Sequence, residues 1–288
     1  MKKHVDAAAS GVFKIGGDLP VHRLGFGAMR ITGPGVWGEP KYPAAARRLL
    51  RKVVDLGINL IDTADSYGPE VSERLIAEAL HPYPKDLVIA TKGGLTRSGP
   101  ERWEPVGRPE YLRQCVELSL RRLKLDCIDL YQLHRIDPKV PAAETLGALK
   151  DLQKAGKIRH IGLSEVSVKE IEHASRTVKI VSVQNLYNLG NRQSEAALEY
   201  CTKHDLGFIP WFPLAAGDIA RPGGALDAAA KRHDATVSQL ALAWLLQKSP
   251  VVLPIPGTAN LNHLVENTGA VNVHLTASEW AEIEKAAR

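Results

Sequence analysis

Short apolar, β-rich runs alternate with longer segments of helical spacing along almost the whole chain. The runs are Leu24–Gly27, Ile58–Ile61, Leu87–Thr91, Cys127–Leu133, Ile158–Ser164, Ile180–Gln184, Gly207–Phe212 and Val251–Pro254. Runs this continuously apolar read as strands of a parallel sheet covered by helices. The first intervening segment, Ala44–Leu56, sets Leu49, Leu50, Val53 and Val54 against Arg47, Arg48, Arg51 and Lys52. Val71–Leu80, Pro109–Leu123, Ala142–Ala155, Val168–Thr177, Gln193–His204, Ala225–His233 and Val237–Gln247 are spaced similarly. Gly57, Gly156 and Gly207 fall where helices should stop. Eight such repeats predict an α/β fold, a (β/α)8 TIM barrel, as one domain over residues 1–288. Phe13–Arg23, turning at Gly16-Gly17-Asp18, predicts an N-terminal β-hairpin across the barrel floor, and Leu275–Ala287 a C-terminal helix.

Composition narrows the partners. With 44% hydrophobic and 24% charged residues, the 288-residue chain has the make-up of a soluble globular protein. The net charge of +5 comes from scattered pairs such as Arg47-Arg48, Arg121-Arg122 and Lys231-Arg232. No aromatic residues interleave with them, so no nucleic acid is expected as a partner. Lys2-Lys3 is followed by no apolar stretch, and the longest apolar run, Leu240–Leu246, is too short to cross a bilayer. No membrane is expected either. Cys115, Cys127 and Cys201 are dispersed and odd in number, which reads as reduced thiols in a cytoplasmic protein. The ten histidines are dispersed as well, and no metal site is expected.

Four polar residues stand at or just past the ends of successive strands: Asp62, Tyr67, Lys92 and His134. In a parallel barrel those ends share one face, where active sites are built. A lysine continuing a buried strand needs a partner, and Asp62 is the candidate. An ammonium beside a tyrosine stabilises the phenolate, so this reading expects Lys92 to lower the Tyr67 pKa and Asp62 to orient Lys92. Taken singly, Asp62 reads as a capping acid, Tyr67 as a surface residue and His134 as a core histidine; together they read as a proton-donating centre.

Those residues, with Gly162-Leu163-Ser164, Val183-Gln184-Asn185, Trp211-Phe212-Pro213-Leu214, Pro254-Ile255-Pro256-Gly257-Thr258 and Glu266-Asn267, resemble the aldo-keto reductase family from about Leu24 onward. Whole-chain similarity is to bacterial members, NADPH-dependent pyridoxal reductases included. The resemblance implies a catalytic tetrad in which Tyr67 is the general acid, Lys92 and Asp62 tune it, and His134 orients the carbonyl oxygen. It also implies NADPH as cofactor, with NADH as the alternative. A Rossmann reading of Gly25-Phe26-Gly27 fails, because the sixth position is Arg30.

By resemblance, Gly27 and Met29 belong to the cofactor site, and Gly257, Thr258, His263, Glu266 and Asn267 hold its adenosine-phosphate end. His263 stands where many NADPH-selective relatives have arginine, which gives a weaker, pH-dependent contact. Trp211 stacks on the nicotinamide or is a core aromatic; Phe212, Pro213, Leu214 and Gly217 follow the pyrophosphate. Ser164 and Gln184 match positions that bind the carboxamide. Glu165 replaces the usual asparagine beside them and either faces the carboxamide or points away. Trp37, Trp103 and Arg135 are substrate-pocket candidates, and the two tryptophans could equally pin their loops.

The expected activity is NAD(P)H-dependent reduction of an aldehyde or ketone, or of an imine, in a small-molecule substrate. The alternative is a regulatory nucleotide-binding subunit resembling potassium-channel β subunits, with little turnover. The shortness of the segment before the hairpin favours the enzyme.

Overall fold

The computed structural model describes residues 5–214 and 225–286. The chain opens with an antiparallel hairpin, β1 (Val12–Ile15) and β2 (Leu19–His22), and then enters a parallel sheet. Its strands are β3 (Phe26–Gly27), β4 (Leu60–Asp62), β5 (Val88–Gly93), β8 (Ile128–Leu133), β9 (Ile158–Ser164), β10 (Ile180–Gln184) and β11 (Gly207–Phe208), hydrogen-bonded in that order. The eighth barrel position is a single bridge between Phe208 and Val252. Closure is carried by Phe208 N to Val251 O and Leu253 N to Phe208 O, both 2.8 Å, and by Gly25 N to Pro254 O at 2.9 Å. The chain is a (β/α)8 barrel with a hairpin before it and a helix after it. The last two strands are shorter than the sequence suggests because Pro210 and Pro254 interrupt the ladder.

Helices α1 (Pro43–Asp55), α2 (Val71–Leu80), α3 (Pro109–Leu123), α4 (Ala142–Lys154), α5 (Val168–Ser175) and α6 (Glu195–His204) follow successive strands. They are followed by α7 (Ala225–Arg232), α8 (Val237–Lys248), α9 (Leu261–Thr268) and α10 (Ala277–Ala286). Local chemistry sets their ends. Proline opens α1 and α3, and capping boxes open α5 (Ser167 with Glu170) and α8 (Thr236 with Gln239). Gly57 and Gly156, both at φ +74°, follow α1 and α4 as expected. Gly207 is no helix stop: α6 ends on Asp205 in the left-handed conformation, and Gly207 begins β11. The final helix starts at Ala277 rather than Leu275, because Thr276 and Glu279 cap it reciprocally.

The core fills the barrel from below. Phe13, Ile15, Leu19 and Val21 of the hairpin join Leu60, Leu130 and Ile161 in one buried cluster. Asp18 at the hairpin turn is clamped to the base of β9, 2.6 Å from His160 Nε2 and 3.0 Å from Arg159 Nη2. The upper rim carries an element the sequence reading treats as a loop: the antiparallel pair β6 (Leu95–Gly99) and β7 (Arg102–Pro105), which holds Trp103. Among the described residues no helix is long and apolar enough to cross a membrane.

A buried carboxylate straps α2 to its neighbours. Glu73 is fully buried and accepts from Arg122 Nε (2.6 Å) on α3 and from Thr91 Oγ1 (2.6 Å) on β5. Arg122 also reaches Glu70 (3.1 Å) and Ser119 Oγ (3.3 Å). Removing one partner of such a pair leaves a charge stranded in low dielectric. Arg122→Ala is therefore expected to lower unfolding free energy by about 3 kcal/mol, read from urea unfolding at neutral pH. A cost below about 1 kcal/mol would mean that the pair is effectively solvated.

Candidate active site

Four inward-facing polar side chains form a layer near the C-terminal ends of the barrel strands. Asp62, Lys92, Gln132 and Gln184 are at most 2% exposed. Lys92 Nζ donates to Asp62 Oδ2 (2.6 Å), Thr63 O (3.0 Å) and Tyr67 Oη (3.3 Å). These three acceptors use the three protons of the ammonium. The other oxygen of Asp62 accepts from Gln132 Nε2 (3.0 Å) and Gln184 Nε2 (2.8 Å). Asp62 thus orients Lys92 as expected, and two glutamines from two further strands orient Asp62.

Tyr67 reaches this layer from the loop after β4. The loop is sewn to β5 by Thr63 N to Ala90 O (2.8 Å) and Asp65 N to Lys92 O (3.1 Å). Gly68 follows at φ +104°, where an added Cβ would lie 2.4 Å from Val71 Cβ. The phenol oxygen accepts from Lys92, and its own proton has no acceptor among the described residues. Burial raises the Tyr67 pKa and the Asp62 charge adds to that; Lys92 pulls it down without prevailing. The expectation of a depressed tyrosine is therefore overturned: desolvation of the phenolate outweighs the ammonium. Lys92 is also pushed down by burial, but Asp62 prevails and keeps it charged.

His134 follows β8, with Nδ1 3.3 Å from Ser66 Oγ. Its pKa lies well below the ordinary value, through burial first and then through Lys92, Arg135 and Arg97. The ring is neutral at physiological pH. It meets the Tyr67 ring edge-on at 5.9 Å, and Trp103 closes the trio at 6.2 and 6.3 Å.

Above this layer lies a cavity of about 1200 Å³. Asp62, Tyr67, His134, Trp103, Arg135, Ser164 and Gln184 line one part of it. Gly27, Met29, Trp211, Phe212, Pro213 and Leu214 also line it, as do Gly257, Thr258, His263, Glu266 and Asn267. Lys92 lies behind the wall, and Gly217 falls outside the described residues. Two expected residues are elsewhere. Trp37 pins its loop, bridging Gly68 with its ring 5.5 Å from Arg97. Glu165 turns its carboxylate to Leu186 N and Trp211 Nε1. Gln184 lines the cavity, but its amide NH2 is committed to Asp62 and Gln132, so only its oxygen is free of these bonds.

Three residues in or around the site escape the sequence reading. Gln132 signalled itself as a polar side chain inside an apolar strand. Arg30 lines the cavity beside Gly257, exposed and with no ion pair among the described residues. Arg97 carries no sequence signal: its guanidinium lies 3.5 Å from the Trp103 ring and donates to the carbonyls of Val36 (2.8 Å), Ser66 (2.7 Å) and Gly35 (3.0 Å).

The model of the aldo/keto reductase family matches residues 23–288. The chain belongs to the aldo/keto reductase family. An uncharacterised oxidoreductase of Schizosaccharomyces pombe is 53% identical over 281 residues, covering 98% of this chain and 91% of that protein. Pyridoxine 4-dehydrogenase of Escherichia coli is 39% identical over 278 residues, covering 94% and 97%. An aldo-keto reductase of Klebsiella pneumoniae solved in complex with NADPH superposes with a TM-score of 0.82 at 26% identity, over 95% of this chain and 94% of that one. This aldo/keto reductase is an oxidoreductase, and NADP(H) is its cofactor.

The residues present fit that cofactor. A Cβ on Gly27 would lie 2.7 Å from Ile255 O, and one on Gly257 would lie 2.6 Å from Gly27 O. The two glycines let backbone approach backbone in the cavity wall, where larger side chains would force the wall to shift. Beside them Arg30 offers a cation, and Asn260 caps the start of α9. These are groups suited to anionic phosphates.

Two residues before Tyr67 stands a further buried carboxylate, Asp65. Asp65 is pushed up to about 7, first by burial and then by the charge of Glu73. Its Oδ1 has no hydrogen-bond partner among the described residues. A carboxyl whose folded pKa is raised favours folding fully below its unfolded pKa, 3.8, and loses that contribution as pH rises toward 7. Asp65→Asn does not titrate. Its stability relative to the parent is expected to improve by about 2–3 kcal/mol between pH 5 and pH 8, measured by urea unfolding at each pH. A constant difference would show that Asp65 is ionised throughout.

Proposed function

We propose that this aldo/keto reductase reduces the carbonyl of a small aldehyde or ketone to the alcohol, with Tyr67 as general acid. The single observation that carries the proposal is the phenol itself: buried, kept protonated, accepting from Lys92, and facing a cavity with its proton unengaged. Bound NADPH supplies the hydride. The chain supplies what the forming alkoxide needs. Tyr67 gives up its proton, and the phenolate left behind faces an ammonium already 3.3 Å away. Preorganised charge of this kind needs no reorganisation during reaction. His134, neutral and tied at Nδ1, offers its other ring nitrogen to the same oxygen. Trp211 would receive the nicotinamide, and Ser164 and the free oxygen of Gln184 would hold its carboxamide. Met29, Phe212, Pro213 and Leu214 would follow the diphosphate, and Gly257, Thr258, His263, Glu266 and Asn267 would hold the adenosine-phosphate end. Arg30 favours NADPH or NADH according to which phosphate it meets; the family favours NADPH.

Trp103, Leu95 and Arg135 shape the substrate side, an aromatic and apolar wall with one cation. Likeness to pyridoxine 4-dehydrogenase makes pyridoxal the first substrate to test, beside simple aldehydes, ketones and cyclic imines. The same reading places a single barrel domain over residues 1–288 in the cytoplasm, where the free thiols of Cys115, Cys127 and Cys201 stay reduced.

NADPH oxidation across that panel is the primary test, and pyridoxal is expected to give the highest kcat/KM. Tyr67→Phe should slow single-turnover reduction by roughly 10²-fold or more while leaving NADPH affinity nearly unchanged. Near-parental turnover in that variant would remove Tyr67 from the mechanism. Tight NADPH binding with no turnover on any carbonyl or imine would favour a regulatory nucleotide-binding role.

A further inference from the structure

Glu165 immediately follows Ser164, the last residue of β9, at φ +54°. Few non-glycine residues adopt that left-handed conformation, and asparagine does so more readily than glutamate. A glutamate held there needs something that outweighs the strain. Its backbone N–H donates to Gln184 O at 3.0 Å. Its Oε1 accepts from Leu186 N and from the indole Nε1 of Trp211, both at 2.6 Å. Leu186 and Trp211 are themselves bridged, with Trp211 N donating to Asn185 O at 3.1 Å. One carboxylate oxygen therefore joins the chain leaving β9, β10 and β11.

Trp211 needs that restraint. It lines the cavity half-buried, and its neighbour Phe212 is also left-handed, at φ +59°. The ring contact between them is tilted, at 5.9 Å, rather than stacked. The backbone bridge fixes the Trp211 Cα but leaves two side-chain torsions free. A bond from Nε1 to a fixed carboxylate removes both freedoms, and an ionised acceptor makes it short and strong. Arg135, in the same cavity wall, feels the Glu165 charge and offsets it.

We propose that Glu165 is a positioning residue that locks the Trp211 indole in the orientation that receives the nicotinamide ring. This rests on the assignment of Trp211 to the nicotinamide side made above. It differs from direct contact between Glu165 and the carboxamide, because the bonded carboxylate oxygen is turned to the indole and the Leu186 amide.

Two measurements test it, neither of which needs turnover. In ¹⁵N-labelled protein the Trp211 indole resonance is identified by its loss in Trp211→Phe. It is expected downfield in the parent and should move upfield in Glu165→Gln, where the acceptor keeps its shape but loses its charge. An unmoved resonance overturns the proposal. NADPH titration then follows Glu165→Ala, Trp211→Phe and the double variant. Glu165→Ala should weaken binding about tenfold, and by less than about threefold when Trp211 is already phenylalanine. Glu165→Gln should stay within about threefold of the parent, since its side-chain oxygen still accepts. Equal penalties in both backgrounds would show that Glu165 acts without Trp211 and would overturn the proposal; if Glu165→Ala does not fold, the indole shift and Glu165→Gln affinity decide. A protein that meets these expectations yet reduces no carbonyl would refute the proposed reaction and leave the Glu165 assignment standing.

Discussion

An ammonium with no access to water sits inside the barrel mouth, and the site is arranged around keeping it there. Lys92 and Asp62 are 1% and 3% exposed at their side chains. A pair so buried is tolerable only when its remaining protons and lone pairs are met. Here they are met from several strand ends at once: Thr63 O and Tyr67 Oη on one partner, Gln132 and Gln184 on the other. The same bonds therefore hold the charge in place and fix the relative positions of β4, β5, β8 and β10 at the cavity floor.

That arrangement also decides where the proton rests. A lysine beside a tyrosine suggests a phenol half-ionised at neutral pH. Burial works the other way, because a phenolate here would be stripped of water, and the nearby Asp62 charge repels it. The ammonium is then more useful to the product of proton transfer than to the resting phenol. A phenol kept protonated in this way fits the proposed general acid, with its proton in hand next to the charge that would stabilise its conjugate base.

The sequence exposes those parts of the structure whose signal is local. Eight apolar runs announced the barrel, and the helical spacing from Pro109, Val168 and Val237 begins where those helices begin. The tetrad was legible because each member breaks an apolar strand or follows its end. Strand lengths were misjudged where Pro210 and Pro254 stop the ladder, since hydrophobicity alone does not register a missing N–H. Arg97, Arg122 and Glu73 were invisible for a different reason. Each is an ordinary charged residue on a rim strand or helix, and only folding brings their partners together across 49 or more positions for Arg122–Glu73 and 62 for Arg97–Gly35. Glu165 was visible as a departure from its family, but the direction of its side chain follows from a left-handed φ that no sequence pattern states.

The two halves of the cavity wall are built on different physics, and they should respond differently to change. On the catalytic side the buried charges answer one another: moving Asp62 disturbs Lys92, two glutamines and, through Lys92, Tyr67. Effects of substitution there are strongly non-additive, because removing any one member leaves the others buried and unmatched. On the cofactor side the main devices are close backbone approach at Gly27 and Gly257 and separate polar groups such as Arg30 and Asn267. These touch one another little, so their losses should add. Trp211 is the exception, because Glu165 gives this wall one point of charge-assisted rigidity, beside the place proposed for the nicotinamide. That is where misorientation would cost the most: hydride transfer depends on the angle at which a ring is presented, whereas a phosphate can be held by several interchangeable donors.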